Sequence, residues 1–136
     1  IGEDGEKHRP VMIHRVAFGS IERFIGILTE HFAGAFPTWL APKQVRLMSI
    51  TDHQLPYIEE ICAKMKAQGI RAEVDSRNEK IGYKIRESHG MRIPYALVAG
   101  DKEMENGTIS VRRHGAGDLG AKDVDELIAE ILTEIK

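Results

Sequence analysis

"YALVAGDKEMENGTISVRRH", residues 95–114, runs from an apolar stretch through Asn106-Gly107 into a second stretch of β-forming character. The unbroken apolar residues of "YALVAG" predict a strand buried in a sheet. Asn-Gly is the strongest short hairpin signal, because both residues tolerate the positive φ of a two-residue turn. The dipeptide therefore predicts an antiparallel partner in "TISVRRH", residues 108–114.

Outward from this pair, strands and helices alternate. "QVRLMSI" (44–50) and "IRAEVD" (70–75) read as strands. Between them Asp52 can cap a helix whose apolar stripe is Leu55, Ile58, Ile61, Cys62 and Met65, with Gly69 to stop it. A short helix is expected from Glu79 to His89. A last one starts near Asp123, with Glu126 completing a capping box and Val124, Leu127, Ile128, Ile131, Leu132 and Ile135 on its buried side. Towards the N-terminus, "VMIHRVAF" (11–18) has strand character. Ser20 is then placed to cap a helix with the stripe Ile21, Phe24, Ile25, Leu28 and Phe32. "TWLAP" (38–42) reads as a connector and sets a boundary between residues 1–37 and 38–136. Alternating elements with one antiparallel pair predict an α/β fold, a mixed β-sheet with helices packed around it, preceded by a separate strand and helix.

Composition narrows the class. With 136 residues, 42% hydrophobic and 29% charged, the chain has enough apolar material for one core. No run is long enough to span a bilayer, and "IGEDGEKHRP" is acidic where a secretory leader is basic and then apolar. The single cysteine, Cys62, falls on a helical apolar stripe; it reads as a buried structural thiol in a reducing compartment, so a cytoplasmic location without membrane association is expected. The net charge of −2 conceals an asymmetry: residues 64–92 carry eight Lys or Arg against four acids, and residues 101–136 five against nine. A basic middle is either a solvated face or a surface that attracts phosphate.

Phosphate-binding loops, nucleophile elbows and Cys-x-x-Cys pairs are absent from the sequence, and its six histidines are scattered, so no metal or nucleophile site can be read from spacing. Arg23 stands out. It lies in the first turn of a helix, where a cation opposes the macrodipole by a few tenths to about 1 kcal/mol. Either Glu22 offsets it, or the guanidinium and the free N–H groups of the turn converge on an anion. In the helix after Asn78, Lys80 and Lys84 are four apart and predict a repulsive pair on one face, beside a row of Asn78, Gly82 and Arg86 that a nucleic-acid backbone could approach.

"HRPVMIHRVAFGSIERFIGILTEHFAGAFPTWLAP" (8–42) closely resembles the end of the catalytic domain of threonyl-tRNA synthetases, including the third signature motif of class II synthetases. "RNEKIGYKIRE" (77–87) and "IPYALVAGDKEMENGTISVR" (93–112) resemble the anticodon-binding domain of the same family, so the likeness covers nearly the whole chain. The resemblance implies a C-terminal part of a homodimeric ligase that charges threonine tRNA with threonine, using ATP with Mg2+ and a Zn2+ ion. Arg23 would clamp ATP phosphate, Ser20 would line the adenylate pocket and His14 would be one zinc ligand. The remaining zinc ligands and the first two class II motifs are missing, so this chain alone is expected to form no adenylate and to bind neither cofactor tightly.

The same resemblance places the anticodon. Threonine anticodons share a central G and a third-position U. Glu103 can accept from the donors on guanine's Watson–Crick edge and Arg112 can offer a fork to its acceptors, while Asn78 and Arg92 would take the U and Lys80 and Arg86 the RNA backbone. Other possibilities are a surface ion pair between Glu103 and Arg112, a non-catalytic synthetase-like module that binds tRNA or protein, and a free-standing nucleotide-binding enzyme built on Arg23.

Overall fold

The computed structural model describes residues 1–135; Lys136, the last residue of the expected second segment, lies outside the described residues. The five strands are β1 (Val45–Ser49), β2 (Ala72–Asp75), β3 (Tyr95–Ala99), β4 (Thr108–Arg113) and β5 (Gly117–Asp123). The helices are α1 (Ile21–His31), α2 (Leu55–Ala67), α3 (Ile81–Gly90), α4 (Asp101–Asn106) and α5 (Val124–Ile135). The strands form one sheet in the order β2-β1-β3-β4-β5, in which β1 is parallel to β2 and β3 and β4 is antiparallel to β3 and β5. This is the mixed α/β sheet expected. Among the described residues no helix is long and apolar enough to cross a membrane.

Burial follows from what covers each face. α2 and α5 pack together on one side, where Ile58, Ile61, Met65, Leu127, Ile128 and Ile131 meet Val45, Leu47, Leu97, Ile109 and Val111; Cys62 is buried in the same core. On the other side, Ile81 and Ile85 of α3 rest on Met48, Ala96 and Val98. β1 and β3 are covered on both faces and every residue in them is buried; β3 accordingly runs apolar without alternation, while β1 buries Arg46 and Ser49 beside Val45, Leu47 and Met48. β4 alternates, with Ile109 and Val111 buried and Thr108, Ser110 and Arg112 half-buried.

Three local expectations are corrected. Residues 11–18 form no strand: they pair with neither edge of the sheet, and Val11, Met12, Ile13 and Val16 are 74–90% exposed. A strand exists only through its ladder, so β-propensity without a partner leaves irregular backbone. Asn106-Gly107 makes no two-residue turn. Asp101 and Glu103 favour a helix N-terminus, Glu103 Oε2 accepts from Gly100 N at 3.0 Å, and α4 forms between β3 and β4, with Gly107 as its left-handed stop at φ 67°. The same tolerance of positive φ serves a turn or a helix cap, and here it caps. β5 carries Gly117 and Gly120 at φ 82° and 80° and is mostly exposed, so it lacks both β-branched residues and alternation. Asp52 is likewise not the cap of α2. It begins a 3₁₀ turn in which Gln54 Oε1 accepts from Thr51 N at 2.8 Å, and Pro56 then opens the helix.

The chain before the sheet is held differently. No residue from 1 to 37 is buried, and on α1 Ile21 and Ile25 are 64% and 53% exposed. From Thr38 onward the connector is tied to the body. Thr38 Oγ1 donates to Glu134 Oε2 at 2.7 Å, Gln44 Nε2 donates to Thr38 O at 2.8 Å and Arg71 Nη2 donates to Trp39 O at 2.7 Å. Tyr95 donates to Glu134 Oε1 at 3.0 Å, and burial together with that carboxylate pushes its phenol up to about 12.

An ion cluster fastens α3 to the sheet edge. Arg46, 8% exposed, reaches Glu73 at 3.1 Å, Asp75 at 3.7 Å and Glu87 of α3 at 3.1 Å. Arg77 donates to both oxygens of Asp75, at 2.9 and 2.7 Å, and pairs with Glu87. The Arg77 hydrogen bonds outweigh the upward push of burial and hold Asp75 down at about 2. A depressed carboxylate stabilises the fold above its unfolded pKa and loses that contribution as pH falls through the folded value. Stability is therefore expected to drop by on the order of 2 kcal/mol from this group between about pH 5 and pH 2. Urea unfolding at pH 7, 4 and 2.5 checks this, and Asp75→Asn should flatten the acid limb. In the core, Ile131→Ala should cost about 2 to 5 kcal/mol in the same assay.

Candidate nucleic-acid interface

The apolar side of α3 packs on β1 and β3, and Lys84 reaches Asp75 of β2. The rest of that sheet face, over β4 and β5, is open and carries Ser110, Arg112, Asp118 and Ala121 in paired register. At its upper end α4 delivers Glu103, whose Oε1 accepts from Ser110 Oγ at 2.9 Å while Oε2 accepts from Gly100 N. Partial burial raises its pKa, but hydrogen bonds from its own backbone N–H, from Ser110 and from Gly100 outweigh this and leave it below the ordinary glutamate range, an acceptor at neutral pH. Two positions along β4, roughly 7 Å on, Arg112 Nη2 donates to Asp118 Oδ2 at 2.8 Å.

Glu103 and Arg112 thus flank Ser110 on one open face, and each has a partner other than the other: the direct ion pair between them is not formed. Arg112 is 43% and Asp118 51% exposed, so their bond is a surface pair of modest strength that an RNA base can displace. An acceptor carboxylate and a donor fork on either side of a hydroxyl match the two edges of a purine.

The basic positions separate. Asn78 is exposed in the loop between β2 and α3. Lys80 is the extended residue that starts α3, at φ −60° and ψ 133°, with its side chain exposed. Lys84 corrects the expected outward pair: it is buried, 3% exposed, and its Nζ donates to Asp75 O at 3.1 Å. Because Lys80 lies outside the helical spiral, the two ammonium groups do not stack. Gly82 is the second residue of α3 and not a mid-helix contact; a side chain there would meet nothing within 4 Å. Arg86 is exposed on the outer side of α3. Arg92 follows the helix at φ 55°, with Cδ 3.4 Å from the position a Gly34 side chain would take, and lines a cleft with Phe36 and Trp39. A ten-residue helix separates it from Asn78, roughly 15 Å, so the two stand at opposite ends of α3.

Residues of the N-terminal part do not join this face. Ser20 caps α1, accepting from Arg23 N at 3.3 Å and donating to Glu22 at 3.0 Å. Glu22 is thus taken up by Ser20, and Arg23 forms no ion pair among the described residues. His14 is exposed on irregular chain, and among the described residues no three potential ligands cluster to hold a metal. The residues present supply at most one zinc ligand.

Other groups on the face carry no early sequence signal. Asp118 sits in a glycine-rich strand that does not read as one, and Ser110 is distinguished only by alternation with Ile109 and Val111. The rings of His89 and His114 meet at 4.7 Å, tilted by 42°, beside a cavity of about 110 Å³ that Arg112 also lines; burial, then His89 and Arg92, lower the pKa of His114. Only the fold brings these two histidines together.

The family model described as anticodon binding domain matches residues 44–134. Over its entire length the chain is 62% identical to a threonine–tRNA ligase of Clostridium acetobutylicum and 60% identical to one of Carboxydothermus hydrogenoformans, spanning 21% and 22% of those proteins. The crystal structure of the RNA-binding domain of threonyl-tRNA synthetase from Cryptosporidium parvum superposes with a TM-score of 0.80 at 27% identity, over 86% of this chain and 30% of that one. The chain spans about a fifth of the length of the curated relatives it matches, and by fold and sequence it belongs to the anticodon-binding domain family.

Proposed function

We propose that the chain reads the anticodon loop of threonine tRNA as the C-terminal part of a threonine–tRNA ligase. The observation that carries this is the placement of Glu103 and Arg112 on either side of Ser110, on the part of the sheet face that α3 leaves open. The central G of the anticodon sits there, with its N1–H and amino group donating to Glu103 and its O6 and N7 accepting from Arg112, which leaves Asp118. Ser110 keeps Glu103 aimed. Asn78, in the β2–α3 loop beyond the same strand ends as α4, reads the third-position U, while Lys80 and Arg86 contact the sugar–phosphate backbone on the exposed side of α3. Arg92 contacts the loop at the far end of α3, apart from Asn78.

Residues 1–37 belong, on this proposal, to a catalytic domain, and 38–136 to the anticodon-binding domain. In the complete, homodimeric, cytoplasmic enzyme, Arg23 and the capped turn at Ser20 face ATP and its Mg2+, and His14 supplies one ligand of a Zn2+ ion that orients threonine. The exposed Arg23 and His14 and the bare apolar side of α1 support that assignment.

Arg112→Ala or Glu103→Ala is expected to weaken binding of the threonine anticodon stem-loop by about 1 to 3 kcal/mol and to erase the preference for central G over A. Filter binding to the G and A stem-loops measures both. Wild type that binds the two equally would contradict the assignment. Lys80→Ala should weaken all stem-loops alike and lower the salt dependence without changing base preference.

A further inference from the structure

β1 hands the chain to α2 on one face of the sheet, and β2 hands it to α3 on the other. Where neighbouring parallel strands send their connections to opposite faces, a crevice opens beyond their C-terminal ends. Here it measures about 220 Å³, and its floor is Ser49 and Lys84. Ser49 is 4% and Lys84 3% exposed.

Lys84 is out of place for a residue that only packs. An ammonium carries three donors, and this one has a single acceptor among the described residues, the Asp75 carbonyl at 3.1 Å. Among the described residues no carboxylate pairs with it. Asp75 is committed to Arg77 and Arg46, and Glu87 to the same two arginines. A buried cation without a counter-charge is costly, and a methionine would fill the space without that cost. Lys84 lines the crevice near the start of α3, where Ile81 and Gly82 leave their backbone N–H groups without intrahelical partners and Gly82 presents no side chain. The floor therefore suits an anion.

The rim says which anion. Asp52 and Glu79 line the mouth and are exposed, with Thr51, Asn78 and Arg77, whose guanidinium is taken up by Asp75 and Glu87. Two carboxylates repel a dianion such as inorganic phosphate or a terminal nucleotide phosphate. They accept well from hydroxyl groups. A phosphodiester carries a single charge, and its flanking ribose 2′-hydroxyls are donors.

We propose that this crevice holds one phosphodiester of the anticodon loop, with the Lys84 ammonium on a non-bridging oxygen and the 2′-hydroxyls against Asp52 and Glu79. The site rests on the tRNA reading above and adds to it a fixed backbone anchor next to Asn78. The outward cations of α3 track the RNA; Lys84 fixes its register.

The test uses the threonine anticodon stem-loop, unmodified and as a series with a single neutral methylphosphonate at each loop linkage. Lys84→Met should bind the unmodified stem-loop about 10-fold more weakly, lower the log–log salt slope by about 0.7 to 1, and keep the preference for central G. One methylphosphonate position should cost wild type about 10-fold and Lys84→Met nothing further. Lys84→Gln, which retains a donor for the Asp75 carbonyl, repeats the measurement if the methionine variant does not fold. Amide shifts around the crevice on adding millimolar inorganic phosphate should be absent; saturable, Lys84-dependent shifts would overturn the phosphodiester assignment. Wild type that prefers central G, with every methylphosphonate acting equally on both proteins, overturns the anchor and leaves the anticodon reading standing. No binding by wild type removes both.

Discussion

A single ten-residue helix, α3, has to cover one face of a five-stranded sheet. A helix is about 10 Å across and strands are spaced by about 4.8 Å, so one helix shields roughly two strands. α3 takes β1 and β3, which become the fully buried centre, and leaves β4 and β5 without a lid. The Glu103–Ser110–Arg112 site proposed for the central base follows from that shortfall. Ser110 and Arg112 have to be polar because the face they occupy is open, while Ile109 and Val111, one residue away, belong to the core under α2 and α5. The ion cluster of Arg46 and Arg77 with Asp75 and Glu87 keeps α3 off the open half by tying it to the β2 edge.

Sequence patterns carried the elements whose burial is one-sided or complete. The stripe of Ile58, Ile61, Cys62 and Met65, and that of Val124, Leu127, Ile128 and Ile131, are buried as their helical spacing predicts. Failures cluster where one local signal serves two structures. Gly107 satisfies a hairpin or a helix stop, and the acids ahead of it at Asp101 and Glu103 decide for the helix. β5 is an exposed edge with glycine where β-branched residues would announce a strand. Lys84 reads as a surface cation because helical spacing from Lys80 is counted as though both were in the helix, whereas Lys80 precedes its first turn. Of the site, residue types were legible but neighbours were not: Asp118 and Ser110 meet Arg112 and Glu103 only through strand register.

Residues 1–37 show the same logic in reverse. α1 forms because Ser20 caps it and its own sequence favours a helix, yet its Ile21 and Ile25 stay exposed. The segment at 11–18 has strand composition and no ladder. Local propensity suffices for a capped helix of eleven residues in this chain and not for a lone strand, because a strand's hydrogen bonds are all made to something else. Phe24 keeps some cover by stacking on Phe18 at 4.7 Å.

The proposed reading puts RNA on the α3 side of the sheet, over β4 and β5, and not on the α2–α5 side. Backbone amide shifts recorded while the threonine anticodon stem-loop is titrated into the chain test it most directly. The perturbed amides are expected to map to 49–52, 78–86, 92, 103, 110–112 and 117–121, with the outward amides of α2 and α5 unmoved. Perturbations concentrated on α2 and α5, or confined to residues 1–37, would contradict it.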